Sequence, residues 1–412
     1  MPLEDGLLSL FLIFSFLQSL AGVFDGIGHF RYVRRHLRVP VEPWTPFVSV
    51  VLPCKGLDYE LEDNIEAVLC QDYPDFEVIL VTASGKDPSL SLLESLTAKY
   101  SGRKVKFVIA GISEERGEKV NNLMQAVAGA SSESVLFAFV DSDCRPNSRW
   151  LRNLVSPLKD ERIGACTGYR WFFPKRGNIA SVLRAAWNGS VAMLLRDHDH
   201  NFAWGGSMAI RRSTFEKIRV LNYWNHSISD DYSLTQALKD AALKIHYEPR
   251  CLIPSHGDCS WRELLEWSTR QILITKLYSR SLWLLALASQ FPFLIGWWWG
   301  IGRLNWGMVR FFGDGLTRSV LGGWQLGVIM SLIYFFGVVR GLLRLNTVSL
   351  IFPTHQRSLS CYWWGHTLLA PLVSTLMGYN LLVSLTTSTL EWRGVRYEVR
   401  SPDEVRVLRK AE

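Results

Sequence analysis

The strongest constraint on this chain is where it can and cannot meet water. Leu7–Phe24, LLSLFLIFSFLQSLAGVF, is almost unbroken apolar sequence, close to the about 20 residues that carry a helix across a bilayer. A second apolar block, Ser281–Thr387, contains segments at Leu282–Gly300, Trp324–Val339 and Thr367–Leu385. Between the two blocks, Pro46–Lys276 has the mixed composition of a soluble domain. A 412-residue chain patterned in this way is an aqueous head held by membrane segments at both ends.

Charge orients it. Glu4 and Asp5 precede the first apolar run and RYVRRHLR follows it, the reverse of a cleaved signal peptide, so the run reads as an uncleaved anchor. The positive-inside rule then expects an integral membrane protein whose head faces the cytoplasm, in a bacterial inner membrane or a Golgi or ER membrane. The net charge of +7 comes from basic residues beside the apolar runs, at Arg31, Arg34, Arg35 and Arg38, at Arg270, Lys276 and Arg280, and in the tail from Arg393 to Lys410. That distribution suits an anionic leaflet and excludes nucleic acid as the expected partner. The 7 cysteines form no Cys-x-x-Cys and read as reduced. The organisation expected is an anchor with its basic flank (1–42), a head (43–260), an amphipathic interfacial helix (261–280), a transmembrane region (281–390) and a basic tail (391–412). Three crossings in 281–390 would put that tail outside, against the charge rule. One segment is therefore re-entrant, or a further crossing lies in Leu304–Phe312.

Within the head, short apolar runs (Val48–Leu52, Phe76–Thr82, Val105–Ile109, Val135–Val140) alternate with stretches of helical periodicity (Leu61–Leu69, Leu90–Tyr100, Lys119–Ala130). This predicts an α/β, Rossmann-like, doubly wound and mainly parallel sheet. The run Val135–Val140 ends in Asp141-Ser142-Asp143 and the turn Arg145-Pro146-Asn147. A buried strand so ended delivers two carboxylates to its C-terminal edge, where open α/β sheets bind ligands. Such a pair can hold a hard divalent cation that shares phosphate oxygens with a substrate. Asp230-Asp231 stand at or just before a helix N-terminus, where capping alone would account for them. Trp261–Tyr278 is amphipathic and belongs at a membrane interface.

The ordered set VSVVLPCKG (48–56), DYPDFEVILVTASGKDP (72–88), KVNNLM (119–124), VDSD (140–143), WGGS (204–207), SDDY (229–232) and WSTRQ (267–271) resembles the inverting family 2 glycosyltransferases, and within them is most similar to ceramide glucosyltransferases. The tail WRGVRYEVR (392–400) is similar to that family's C-terminal end. The resemblance implies a GT-A fold, a nucleotide-sugar donor (UDP-glucose), a lipid acceptor such as ceramide, and Mg²⁺ or Mn²⁺ held by Asp143 and Asp141. It implies donor contacts at Lys55, Asp87, Lys119, Asn122, Asp141, Gly205 and Gly206, with Asp231 of the Asp230-Asp231 pair as general base. Arg270 matches the arginine that stabilises the departing diphosphate; Trp267 and Gln271 depart from that motif. Read from the residues alone, Arg270 serves equally as an interfacial cation, Asp87 as a turn residue and the Gly205-Gly206 pair as a bulge. Other lipid acceptors, a polysaccharide product or a non-catalytic nucleotide-sugar binder are the competing functions.

Overall fold

The computed structural model describes residues 3–314 and 320–410. The ends of the anchor and tail readings (1–2 and 411–412) and residues 315–319 of the transmembrane reading lie outside the described residues.

A 34-residue helix, α1 (Leu3–His36), carries the first apolar run. The head then alternates β1 (Val48–Pro53), α2 (Leu61–Leu69), β2 (Phe76–Thr82), α3 (Leu90–Lys99), β3 (Lys104–Ile109), α4 (Glu118–Ala128) and β4 (Leu136–Val140). It continues through α5 (Trp150–Val155), β5 (Ile163–Phe173), α6 (Ile179–Ala192), β6 (Ser207–Arg211), α7 (Arg212–Lys217), α8 (Val220–Trp224), α9 (Asp230–Asp240) and β7 (Lys244–His256). The strand order is β3-β2-β1-β4-β6-β5-β7. Both neighbours of β1 run parallel to it, β2 is parallel to β3, and only β6 runs against its neighbours. This is the mainly parallel, doubly wound sheet expected of the head. Successive residues of β1 point to opposite faces: Val50 and Leu52 enter a core with Ile65 and Leu93, while Val51 joins Leu123, Phe139 and Leu234 on the other face. Strand order reverses between β1 and β4, which opens a crevice at their C-terminal ends.

Three further helices, α10 (Trp261–Tyr278), α11 (Arg280–Asp314) and α12 (Val320–Ile351), follow the head. Among the described residues three helical stretches are long and apolar enough to cross a membrane: Glu4–His36, Arg280–Asn305 and Trp324–Ile351. Helix α11 runs unbroken through Leu304–Phe312, so no separate crossing begins there. The remaining apolar segment is divided into α13 (Gln356–Cys361), α14 (Trp363–Thr367) and α15 (Ala370–Thr386). It leaves the head where Tyr362 Oη donates to the carbonyl of Lys175, 3.1 Å. It passes Gly341 of α12 at His366 and meets α11 where Trp298 donates to Thr375 Oγ1, 3.1 Å. It climbs back past Trp283, which donates to Ser384 Oγ at 3.0 Å. Both ends of this segment therefore touch the head.

The stretch read as a basic tail is folded. β8 (Thr389–Trp392), β9 (Val395–Ser401) and β10 (Glu404–Lys410) form an antiparallel three-stranded sheet. Val395, Tyr397 and Val399 alternate inward and pack with Leu273 and Ile274 of α10, while Arg396 and Arg400 face water. The basic composition is the outer face of a two-sided sheet.

Candidate active site

The crevice between β1 and β4 is a cavity of about 260 Å³. Asp141 and Asp143 reach it because β4 ends at Val140 and the chain turns, with Cys144 N–H closing on the Asp141 carbonyl at 3.1 Å. From the opposite side α4 starts at Gly117, whose N–H donates to the Ser227 carbonyl, 2.8 Å. A Cβ on Gly117 would sit 3.0 Å from the Ile228 backbone, so any larger residue there would push these two segments slightly apart. The approach places Lys119 Nζ 2.8 Å from Asp141 Oδ1 and 3.2 Å from Asp230 Oδ1. Lys119 is thus a bridge between the strand-end carboxylate and the helix-end carboxylate. Burial would lower its pKa, but Asp141, Asp230 and Asp231 hold it above the ordinary lysine value.

The two aspartates at the start of α9 have different surroundings. Asp230 is 1% exposed, and its Oδ2 has no hydrogen-bond partner. Burial pushes its carboxyl up to about 7, with Lys119 opposing and the Asp231 and Asp141 charges adding. Asp231 lines the cavity. Its Oδ1 accepts from Ser229 Oγ (2.5 Å) and from Tyr232 N–H (2.8 Å), and its Oδ2 from Gly205 N–H (3.2 Å). Ser229 is the N-cap of α9. Capping and site geometry therefore coincide: the cap fixes the carboxylate that faces the cavity.

Three guanidinium groups complete the lining. Arg170, in the middle of β5, donates to both oxygens of Asp143 at 3.1 Å and to Asp141 Oδ2 at 3.2 Å, and lies 4.9 Å over the Trp204 ring. Burial would raise the Asp143 carboxyl; Arg170 and then Arg393 outweigh it and hold that group near 2. Arg393 sits in the two-residue turn joining β8 to β9, donates to the Lys55 carbonyl at 3.0 Å and to Asp58 Oδ2 at 3.1 Å. Arg270 of α10 donates to the Glu391 carbonyl, 3.2 Å, and lies 5.5 Å over Trp392. Burial, with Arg393 and Arg170 nearby, lowers its pKa to about 10. Arg170 and Arg393 were not singled out from the sequence. The signal for Arg170 is a lone cation inside an otherwise apolar strand; Arg393 lies in the WRG of the tail motif.

The other expected residues fall into two groups. Lys55, Asn122, Asp230 and Arg270 line the cavity with the residues already placed. Lys55 Nζ pairs with Glu118 at 3.0 Å, and the buried Asn122 leaves its Oδ1 without a partner. Gly205 and Gly206 are required by packing: a Cβ on Gly205 would strike the Asp230 carboxylate and Lys119, and one on Gly206 the Trp204 ring and Asp141. Asp87 is different. It is not among the residues lining the cavity; its carboxylate accepts from Gly56 N–H at 2.9 Å and from Ser89 N–H at 2.9 Å. It fixes the Lys55-Gly56 loop, with both oxygens accepting from backbone N–H groups.

Asp141, Asp143 and Cys144 offer ligand atoms within 4.8 Å of one another. Arg170 bridging both carboxylates shows that they aim at one point and gather positive charge there. An oxygen donor pair of this kind fits a hard divalent cation. Guanidinium groups interleaved with acids, beside the separately held Asp231 carboxylate, make a cavity with charges of both signs.

Ceramide glucosyltransferase 1 of Caenorhabditis elegans is 24% identical over 216 residues, 51% of this chain and 46% of that protein, so the match spans about half of the relative. Glycosyltransferase AglE of Haloferax volcanii is 23% identical over 258 residues, 58% of this chain and 80% of that protein. Among solved structures, a mannosyltransferase of Pyrobaculum calidifontis in complex with GDP-Man and Mn²⁺ covers 91% of this chain and 98% of its own, at 14% identity and a TM-score of 0.47. The model of glycosyl transferase family 21 matches residues 15–405, which takes in most of α1, the head, the apolar helices and most of the tail sheet: the chain belongs to glycosyl transferase family 21.

Proposed function

We propose that this glycosyltransferase moves a hexose, glucose from UDP-glucose, to the hydroxyl of a membrane lipid, ceramide or a ceramide-like acceptor, with inversion at the anomeric carbon. The observation that carries the proposal is the meeting of Asp141, Asp143 and Asp231 in one cavity whose wall includes α10. Asp231 has three donors orienting its carboxylate, and its position on the cavity side suits removal of the acceptor proton as that oxygen attacks. Asp143 and Asp141 would hold Mg²⁺ or Mn²⁺, which when bound neutralises diphosphate charge. Arg170, Arg270 and Arg393 surround the same space and stabilise the departing diphosphate as its charge grows. Helix α10 presents Trp267, Arg270, Gln271 and Ile274 to the cavity, and α11, the next apolar helix, begins two residues after its end. That arrangement favours an acceptor arriving from a bilayer, on the side that the basic flanks assign to the cytoplasm.

Full-length protein in detergent, given UDP-[14C]glucose, ceramide and Mn²⁺ or Mg²⁺, is expected to form a β-linked glycolipid. Asp231→Asn should lower kcat by about 10²–10⁴, the usual contribution of a general base, with donor binding retained. Absence of transfer to every lipid class tested, or equal rates in Asp231→Asn, overturns the reading.

A further inference from the structure

A second cavity, of about 270 Å³, lies among the apolar helices and is lined from α1, α6, α11, α12 and α14–α15. It is separate from the active site: on α6, Asn188 faces the catalytic cavity, whereas Ala186 and Ser190 face this one. Its wall contains Arg340 and Arg344, one helical turn apart on α12, and His366, and no acidic residue. Arg344 is 7% exposed; Nη1 donates to the Ala186 carbonyl at 2.7 Å and Nε has no partner. His366 is 4% exposed, and its Nδ1 also has no partner. Arg340 makes no hydrogen bond or ion pair with any described residue, and Asp25 on the facing helix is engaged by Arg196 at 3.0 Å.

Arg344 has no carboxylate beside it and the one acid near Arg340, Asp25, is already shared with Arg196, so two buried guanidinium groups in one cavity call for an anion, since unpaired buried charge is costly. Arg344 and Arg340 lie in the head-side half of α12, 7 and 11 residues before its end at Ile351. The rest of the wall is mixed: Gln18, Ser19, Ser190, Gln290 and Ser374 are polar, and Phe293, Trp297, Ile333 and Met377 are apolar. A ligand matching both parts has a phosphate at one end and a hydrocarbon chain at the other. We infer that this cavity holds the phosphodiester headgroup of an anionic phospholipid from the head-side leaflet, gripped by Arg340 and Arg344. Basic pockets between membrane helices bind such headgroups through bidentate charge-assisted hydrogen bonds. The site is independent of which sugar or acceptor the active site uses.

The test uses full-length protein in a neutral detergent, with dioleoylphosphatidylglycerol, dioleoylglycerol and inorganic phosphate as separate probes. Phosphatidylglycerol is expected to raise Tm by a few degrees and to remain bound as a discrete added mass in native mass spectrometry; the other two should do neither. Arg340→Gln, which removes a side chain without a protein partner, should weaken lipid retention about tenfold, the loss of one charge-assisted contact. Arg340→Lys keeps the charge and loses the fork, and carries the same comparison if the Gln variant does not fold: weaker retention supports the site and unchanged retention overturns it. An equal response to dioleoylglycerol would make the cavity an apolar groove only. An equal response to phosphate alone would make it an ion site. Either result overturns the inference.

Discussion

Asp230 keeps one carboxylate oxygen without any hydrogen-bond donor while Lys119 stands 3.2 Å from the other. Burial raises its carboxyl from an ordinary 3.8 to about 7, so the folded chain takes up a proton there that the unfolded chain has lost. Stability from this group is complete below about pH 4 and falls as pH climbs through 7, by on the order of 4 kcal/mol at most. Asp230→Asn removes that dependence. The Tm of the variant minus that of the wild type should therefore be more positive at pH 8 than at pH 5; a difference that is flat or reversed would mean that Lys119 keeps Asp230 ionised throughout. Asp141 and Asp143 were legible through the ordered motifs around them rather than alone, since a short acidic pair commonly ends a strand or begins a turn. The sequence could not announce Lys119 as a bridge, since that role depends on Gly117 bringing α4 against Ile228. Arg170 was equally hidden: nothing in a strand's alternating pattern tells which neighbour a buried cation faces.

At the scale of elements, the hairpin of β8 and β9 has the most specific requirement. Arg393 and Gly394 both have positive φ, 48° and 75°, the pair of left-handed residues that a two-residue type I′ loop needs. Arginine is a poor choice for the first position, at a cost of about 1–2 kcal/mol. What it provides there is a guanidinium group on Asp58 and the Lys55 carbonyl, 335 residues from Asp58 along the chain. Arg393→Asn, a residue that tolerates the left-handed turn, should thus lower kcat by at least about tenfold through loss of a cation facing the leaving group, while Tm changes little, because strain and the Asp58 pair are lost together. A variant with full activity would reduce the hairpin to a packing element. β1 to β4 were legible because each is a short apolar run between turn signals. β7 was not, since Glu248-Pro249-Arg250 interrupts it, and the tail sheet was not, since its outer face supplies the basic composition that dominates the segment.

The whole molecule is ordered by which parts share a side. α1 and α11 meet far from the head, where Arg303 pairs with Asp5, whereas Tyr362 and Arg393 both return to it. The charge rule alone left two paths open for the C-terminal region, because hydropathy counts apolar residues but does not say whether a 17-residue helix such as α15 leaves on the side it entered. The contacts of α14 and α15 with α12, α11 and α10 supply the missing information. Cys70 in the head and Cys361 in α13 are exposed, and the other five cysteines are buried. In sealed vesicles of uniform orientation, a membrane-impermeant maleimide should label both or neither, as read with Cys70→Ser and Cys361→Ser singly. A cysteine introduced by Glu4→Cys should react only from the opposite face. Labelling of a cysteine introduced in the exposed tail turn by Asp403→Cys from the face that protects Cys70 would mean that the 353–387 segment crosses outright. The tail sheet could not then supply Arg393 to the active site, and the cavity described above would lose one wall.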